Sequence, residues 1–131
     1  MKKKEALIAY SRAYAPYSNF NVGAAITLKD GTVVLGSNVE NMSYGLSNCA
    51  ERSALFSLVS QGYDPKDIVS MTIIGNTLGP ISPCGACRQV MYELMPRDAK
   101  VYLNNLKDDI KVMTVNELLP FGFDLDEQKA K

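Results

Sequence analysis

The sequence predicts one α/β domain, and three observations support this prediction. Its length of 131 residues fits a single domain, residues 1–131. Segments with helical spacing alternate with segments rich in β-branched residues, in the order α-β-β-α-β-α-β-β-α. Two short cysteine motifs each fall where a strand gives way to a helix. We therefore expect a sheet with helices packed against it and cysteines near its edge.

The chain begins with a predicted helix and a predicted hairpin. Residues 3–14 contain apolar side chains among helix formers, and Pro16 would end this helix. Two strand-like runs, residues 20–28 and 33–35, flank the pair Asp30-Gly31. An Asp-Gly pair between two such runs is a strong hairpin signal.

A second helix and a central strand follow. After a polar loop over residues 38–48, apolar residues recur at helical spacing from Cys49 until Gly62. A glycine there is typical of the position just past a helix end. Residues 69–75 form an apolar run, which favours a strand buried on both faces. A Gly/Pro-rich loop, residues 75–83, then leads to the next cysteine motif.

The last third of the chain continues the alternation. A third helix is predicted to begin at Cys84 and to end at Pro96. The remaining elements are two strands and a short helix, over residues 101–103, 110–113 and 115–119. Cys49 and Cys84 would each begin a helix, where unpaired N–H groups and the positive end of the helix dipole stabilise thiolates.

Composition and charge argue against several classes of protein. Fourteen basic and fourteen acidic side chains cancel, so no broad field indicates a nucleic-acid or membrane partner. Short basic runs at residues 2–4 and 129–131 are typical of solvated ends and are assigned no function. No run approaches transmembrane length. Three cysteines, an odd number, suit a reducing compartment better than a disulfide framework, so we expect a cytoplasmic protein.

The three cysteines lie in two motifs, Cys-Ala-Glu-Arg from Cys49 and Pro-Cys-Gly-Ala-Cys around Cys84 and Cys87, and the chain has no histidine. Three thiolates can hold a catalytic zinc ion and leave a fourth position for water, with Glu51 as the nearby acid/base carboxylate. Glu51 as a fourth ligand of a closed structural site is an alternative, although carboxylates are poor partners for three soft thiolates. A thioredoxin-like redox pair would need only Cys84 and Cys87.

Two arginines, Arg52 and Arg88, each follow a cysteine motif directly. Zinc bound by three thiolates carries a net negative charge, which weakens the metal as a Lewis acid. Nearby cations would offset that charge, so we predict a charge-compensating role for both arginines. The alternative is that they are ordinary exposed helix arginines.

The two motifs resemble the signature of zinc nucleobase deaminases, which pairs His-or-Cys-x-Glu with Pro-Cys-x-x-Cys. Residues 49–52 with residues 82–89 are similar to the small, homotetrameric cytidine deaminases, and the likeness extends from Ala13 to Pro120. This resemblance implies a three-layer α/β/α fold around a five-stranded mixed sheet. It also implies a Zn²⁺ cofactor and the hydrolysis of cytidine and 2′-deoxycytidine to their uridine counterparts and ammonia, as in pyrimidine salvage.

The resemblance also implies roles for individual residues. Cys49, Cys84 and Cys87 would hold the zinc, and Glu51 would take a proton from water, pass it to ring nitrogen N3 and return one to the exocyclic amine. The other implied residues bind substrate. Phe20 would pack beside the pyrimidine, and Asn38 and Glu40 would hydrogen-bond the ribose. Ala50 would also contact the substrate, and Tyr44 and Phe123 would reach it across subunit interfaces. Without the resemblance, Phe20 would be a core aromatic residue and Asn38 and Glu40 would be polar loop residues.

Several competing functions stay open on the sequence. A blasticidin-S-type deaminase would share the fold and zinc motifs, but Glu40 suits ribose hydroxyls. Deamination of bases in polynucleotides would demand cations along the phosphate backbone, which the neutral chain lacks. From other classes, a thioredoxin-like protein or a non-catalytic zinc module would leave the pairing of Cys49 with Glu51 unexplained.

Overall fold

The computed structural model describes residues 1–128, so the basic run at 129–131 lies outside the described residues. Two short 3₁₀ turns, Tyr44–Leu46 and Pro65–Asp67, lie between the main elements. In chain order the helices and strands are α1 Lys3–Ser11, β1 Val22–Leu28, β2 Val33–Ser37, α2 Ala50–Ser60, β3 Ile68–Gly75, α3 Gly85–Leu94, β4 Lys100–Asn105, β5 Ile110–Thr114, α4 Val115–Leu118 and α5 Leu125–Gln128. None of the helices in residues 1–128 has the length and apolar character needed to span a membrane.

The five strands form one mixed sheet in the order β2-β1-β3-β4-β5. Strands β3 and β4 are parallel, and every other neighbouring pair is antiparallel. The predicted hairpin between β1 and β2 is confirmed. Its turn places Gly31 at a φ of 90°, a left-handed conformation that glycine adopts without a Cβ clash.

Helices cover both faces of the sheet and make three layers. On one face, Ala6 of α1 packs with Ala25 of β1 and Ile74 of β3. On the other face, α2 and α3 enclose a larger core that includes Leu55 and Met91. Successive residues of β1 and β3 alternate between these two cores, because side chains point to opposite faces along a strand. The predicted three-layer α/β/α fold is confirmed.

Two glycines in the sheet allow the helices to approach its backbone. A Cβ on Gly23 would lie 2.1 Å from the carbonyl oxygen of Ala6 in α1. A Cβ on Gly36 would lie 2.4 Å from the carbonyl oxygen of Ala50 and 2.3 Å from the backbone nitrogen of Ala54, both in α2. The contact at Gly36 fixes the first turn of α2, which is the turn that carries the first cysteine motif.

The predicted limits of α1 and β1 are wrong by a few residues. Helix α1 ends at Ser11, because Tyr14 instead forms a parallel bridge with Val39. Strand β1 begins at Val22 rather than at Phe20. In both cases the residues next to the element contact the loop after β2 instead of extending the helix or strand. The local sequence therefore could not predict where α1 ends and β1 begins.

Candidate active site

Two helix N-termini converge at the candidate site. Cys49 is the N-cap residue of α2, and Cys84 is the N-cap residue of α3, so the prediction that each begins a helix is confirmed. Their Sγ atoms lie 3.8 Å apart. Each of these two cysteines has an extended backbone conformation, as is typical of an N-cap residue, and its sulfur lies at the positive end of the helix that follows.

Cys87 completes a three-sulfur cluster from the first turn of α3. Its Sγ lies 3.3 Å from that of Cys84, and its backbone N–H donates to the same sulfur. The three sulfurs all lie within 4.8 Å of one another. Zn–S bonds of about 2.3 Å in a tetrahedral arrangement separate sulfurs by roughly 3.8 Å, so this donor set fits zinc.

The cluster contains three cysteines and, within residues 1–128, no carboxylate or histidine. Glu51 therefore stands beside the sulfurs rather than among them. This placement disfavours the closed structural site in which Glu51 would be the fourth ligand. It equally disfavours a simple redox pair, because the sulfur of Cys49 lies nearly as close to Cys84 as that of Cys87 does.

Hydrogen bonds concentrate negative charge on Cys49. The Cys87 thiol donates to Cys49, and this bond, together with a hydrogen bond from Arg52 Nη2 at 3.4 Å, lowers the pKa of Cys49 to about 5. Partial burial of Cys49 opposes the shift. The same hydrogen bond and burial raise the pKa of the Cys87 thiol. Arg52 thus contacts the sulfur on which these interactions favour a negative charge, and its charge-compensating role in the metal site stays a prediction.

Glu51 is buried at the start of α2, with 5% of its surface exposed. Burial is the main cause that raises the pKa of its carboxyl group, because an uncharged acid is favoured away from water. The negative charge on Cys49 raises it further. A buried carboxyl group with a raised pKa, next to a cluster that fits a metal, is a candidate for general acid–base chemistry.

Seven of the predicted site residues line one cavity of about 640 Å³. It is lined by Cys49, Cys84 and Glu51, and the structure brings four further predicted residues to its wall: Phe20, Asn38, Glu40 and Ala50. The cavity is large enough for a small molecule. Cys84 is the exposed member of the sulfur cluster, so the cluster is open toward this cavity.

Asn38 and Glu40 also brace the loop that carries Phe20. Asn38 Oδ1 accepts from the backbone N–H of Val22, and its Nδ2 donates to the carbonyl oxygen of Phe20, both at 2.8 Å. Glu40 accepts from the backbone N–H and the hydroxyl of Ser18, which lowers the pKa of its carboxyl group. These contacts fix one wall of the cavity.

Arg88 holds the loop before Cys84. Its guanidinium donates to the carbonyl oxygens of Pro83 and Leu118 at 2.8 Å and to the Ser82 hydroxyl at 2.7 Å. The observed contacts are with loop oxygens rather than with sulfur. The predicted charge-compensating role of Arg88 stays a prediction.

Tyr44 and Phe123 lie outside the cavity in this chain. Tyr44 makes an edge contact with Tyr17, with ring centroids 6.2 Å apart, and 76% of its surface is exposed. Phe123 is also exposed, and its carbonyl oxygen accepts a hydrogen bond from Gln89. Their predicted use across subunit interfaces stays a prediction.

Sequence reasoning does not single out several residues that line the cavity. Ser18 binds Glu40, and Ile81 is buried beside Gly75, where it forms part of the wall. Ser18 directly precedes the Asn19-Phe20 segment, and Ile81 is one of two apolar residues, with Leu78, in the Gly/Pro-rich loop. Leu78 is exposed and Ile81 is buried, so apolar character alone could not have identified Ile81.

Comparison with known proteins decides the family. The family model described as the cytidine and deoxycytidylate deaminase zinc-binding region matches residues 2–103. The chain belongs to this family. Membership in a zinc-binding deaminase family agrees with the cysteine cluster, which could hold a metal ion. The cofactor is Zn²⁺.

Relatives of the deaminase family match along nearly the whole chain. The cytidine deaminase of Halalkalibacterium halodurans is 55% identical over 124 residues, covering 95% of this chain and 92% of that protein. The cytidine deaminase of Sporosarcina psychrophila is 47% identical, covering 94% and 93%. The crystal structure of cytidine deaminase from Burkholderia pseudomallei has a TM-score of 0.90 and 52% identity, covering 92% of this chain and 94% of that one.

Proposed function

We propose that the protein is a zinc-dependent cytidine deaminase. It hydrolyses the C4 amino group of cytidine and of 2′-deoxycytidine, and the products are uridine or 2′-deoxyuridine and ammonia. The observation that supports this most directly is that two members of a three-sulfur cluster, Cys49 and Cys84, line one cavity together with the buried Glu51. The relatives described above, matched over more than nine-tenths of each chain, are named cytidine deaminases.

Cys49, Cys84 and Cys87 are the proposed zinc ligands. Their sulfurs come from the N-termini of two helices, where the helix dipoles and the first-turn N–H groups favour thiolates. Zinc bound there supplies a Lewis acid that lowers the pKa of a water molecule and makes it a nucleophile near neutral pH. Arg52, which donates to Cys49, offsets the negative charge of the thiolates.

Glu51 is the proposed proton carrier. Its ionised carboxylate takes a proton from the attacking water and delivers it to N3 of the cytosine ring. The water oxygen bonds to C4, and Glu51 then takes the proton of the resulting C4 hydroxyl and gives it to the C4 amino group. The C4–N bond breaks, the C4 carbonyl forms, and ammonia leaves. Burial raises the pKa of Glu51, so both protonation states are accessible during the cycle. The position of Glu51 on the first turn of α2 keeps the carboxyl group beside Cys49 throughout.

The other predicted residues that line the cavity form the proposed nucleoside site. Phe20 offers an aromatic surface for the pyrimidine, and Ala50 lines the cavity from the start of α2. Asn38 and Glu40 provide polar atoms for the ribose hydroxyls. Both carboxylate oxygens of Glu40 accept hydrogen bonds from the segment at Tyr17 and Ser18, so the orientation of the carboxylate is set before the substrate arrives. Such preorganisation lowers the entropic cost of binding.

A homotetramer is the proposed assembly, with Tyr44 and Phe123 completing sites of neighbouring subunits. Both aromatic side chains are more than half exposed in a single chain. The outer faces of α2 and α3 also form an apolar groove, lined by Phe56, Val59, Val90 and Leu94 among others. Exposed apolar surface of this kind favours contact with other subunits. We further propose one catalytic domain over residues 1–131, located in the cytoplasm and acting in pyrimidine salvage.

One assay tests the proposed function. Purified protein is mixed with cytidine, 2′-deoxycytidine and blasticidin S, the ultraviolet change on deamination is followed, and zinc content is measured on the same preparation. We expect turnover of both nucleosides, no turnover of blasticidin S, and about one zinc per chain. A preparation with full zinc that leaves both nucleosides unchanged would contradict the proposal. Native mass measurement tests the tetramer separately.

A further inference from the structure

A second cavity lies at the other end of the sheet from the cysteine cluster. It has a volume of about 740 Å³ and borders the end of β1 and the starts of β3 and β4. The catalytic cavity borders the opposite end of β1, at Val22, and the loop after β3, at Thr77. We name the second cavity the lysine cleft after four of its lining residues, Lys2, Lys29, Lys66 and Lys100.

The charge of the lysine cleft differs from that of the whole chain. The chain has no net charge, yet the four lysines of the cleft face one lining carboxylate, that of Asp98. Lys29 lies 3.9 Å from Asp67, and both side chains of this pair are more than half exposed, so the pairing is weak. Within residues 1–128 the other three lysines form no ion pair. The cleft therefore concentrates positive charge.

Hydroxyl groups line the cleft between the lysines. Thr27 Oγ1 is buried and has no hydrogen-bond partner among residues 1–128. Ser70, which pairs with Thr27 between β1 and β3, is 7% exposed and lines the same cleft. Buried hydroxyls in folded proteins nearly always have a partner, so residues 1–128 leave one polar group of this wall unsatisfied.

The start of α1 adds a further source of positive potential. Met1 and Lys2 line the cleft, and α1 begins at the next residue without a side-chain cap. Its first N–H groups therefore have no partner within the helix, and the positive end of the helix dipole favours an anion there. Glu5, in the first turn, offsets part of this field. The helix supports the lysines but would not define a site without them.

We propose that the lysine cleft binds a small polyphosphate anion, either inorganic tripolyphosphate or the triphosphate of a nucleotide. Adjacent phosphates carry several negative charges, which match ammonium groups spread around one cleft. Phosphate oxygens also accept hydrogen bonds from the hydroxyl of Ser70, which lines the cleft. A monophosphate reaches fewer of these groups and binds more weakly. The two cavities share no lining residue, so this binding is independent of the function proposed for the cysteine cluster.

Calorimetric titration of the full chain with tripolyphosphate tests the proposal. We expect saturable binding that weakens as salt is added, because exposed charges are screened. The double variant Lys66→Gln/Lys100→Gln should bind the anion roughly 2- to 5-fold more weakly for each lysine removed. Lys107→Gln/Lys111→Gln is the matched control, since both lysines are exposed and lie outside the cleft. It should bind like the unmodified protein.

Three outcomes would overturn the proposal. They are no saturable binding at millimolar tripolyphosphate, equal weakening in the control variant, and competition of the anion with cytidine, which would place it in the catalytic cavity. Tighter binding of a nucleoside triphosphate than of tripolyphosphate supports a nucleotide as the ligand, and equal binding supports the polyphosphate alone. Cytidine turnover measured on the same variants should be unchanged, which separates this test from that of the deaminase function.

Discussion

Arg52 donates a hydrogen bond from Nη2 to Cys49 Sγ at 3.4 Å, three residues along the first turn of α2. The same turn carries Glu51, so one helix start places a thiolate, a cation and a buried carboxyl group together. The spacing follows from helix geometry, because residues three apart lie on neighbouring positions of one face. Arg52 therefore contacts the sulfur cluster directly.

Replacement of Arg52 by Gln should lower turnover and weaken zinc binding, because the thiolates lose a partner that stabilises their charge. Removal of a group that hydrogen-bonds a metal ligand typically costs about 10- to 100-fold in metal affinity or activity. Cytidine turnover and zinc retention against a chelator measure these effects. Arg12→Gln is the control, since Arg12 is exposed and lies outside the catalytic cavity. Equal behaviour of the two variants would remove Arg52 from the metal site.

Replacement of Glu51 by Gln should leave zinc and the fold intact and abolish most turnover. Gln has nearly the same shape but cannot carry a proton, and general acid–base catalysis typically contributes about 10²–10⁴-fold. Steady-state rates with cytidine, together with metal analysis, check this expectation. Glu93→Gln serves as the control because Glu93 is exposed and does not line the catalytic cavity. Deamination at an undiminished rate in the Glu51 variant would exclude Glu51 as the proton carrier.

Replacement of Cys87 by Ala should lose zinc and activity together, because two thiolates do not hold the metal as three do. Cys87 is fully buried, and Ala occupies slightly less volume, so the fold should persist. Elemental analysis measures the metal, and circular dichroism checks the fold. Full zinc occupancy in a folded variant would argue against the three-sulfur ligand set.

Much of the fold, and the start of both helices at the site, was predictable because the sequence features that determine them are local. The Asp30-Gly31 turn, the glycine at position 62 and the start of each cysteine helix depend on a few neighbouring residues, and the structure confirms all of them. Gly62 has a φ of 90° just past α2, as expected for a glycine that ends a helix.

Several element limits and loop positions were not predictable because contacts with residues distant in the sequence determine them. Tyr14 leaves α1 to bridge Val39, and Asn38 takes the backbone groups that would extend β1 toward Phe20. Helix α5, which the sequence did not predict, lies next to Asp124, whose carboxylate pairs with Arg97 at 2.6 Å. None of these contacts has a signature in neighbouring sequence.

Replacement of Asn38 by Ala should destabilise the protein and raise KM for cytidine. The change leaves the buried N–H of Val22 and the carbonyl oxygen of Phe20 without partners, at a cost of about 1–3 kcal/mol for a buried group. The cavity wall that carries Phe20 would also lose the two hydrogen bonds that hold it in place. Chemical denaturation and steady-state kinetics measure the two effects. A variant with normal stability would show that Asn38 does not hold this wall.

Replacement of Arg97 by Gln should lower the melting temperature in a pH-dependent way. Arg97 stacks on the ring of Tyr92, with its guanidinium carbon 3.7 Å from the ring centroid, and its hydrogen bond to Asp124 lowers the pKa of that carboxyl group below its usual 3.8. A carboxyl group with a depressed pKa in the folded state contributes stability above its unfolded pKa, and this contribution is lost as pH falls through the folded pKa. The melting temperatures of the two proteins should therefore differ most near neutral pH and approach each other below about pH 4.

Lys111→Gln should show no such convergence. A difference that stays constant from neutral to acidic pH would mean that the stacking on Tyr92, rather than the ion pair, accounts for the effect.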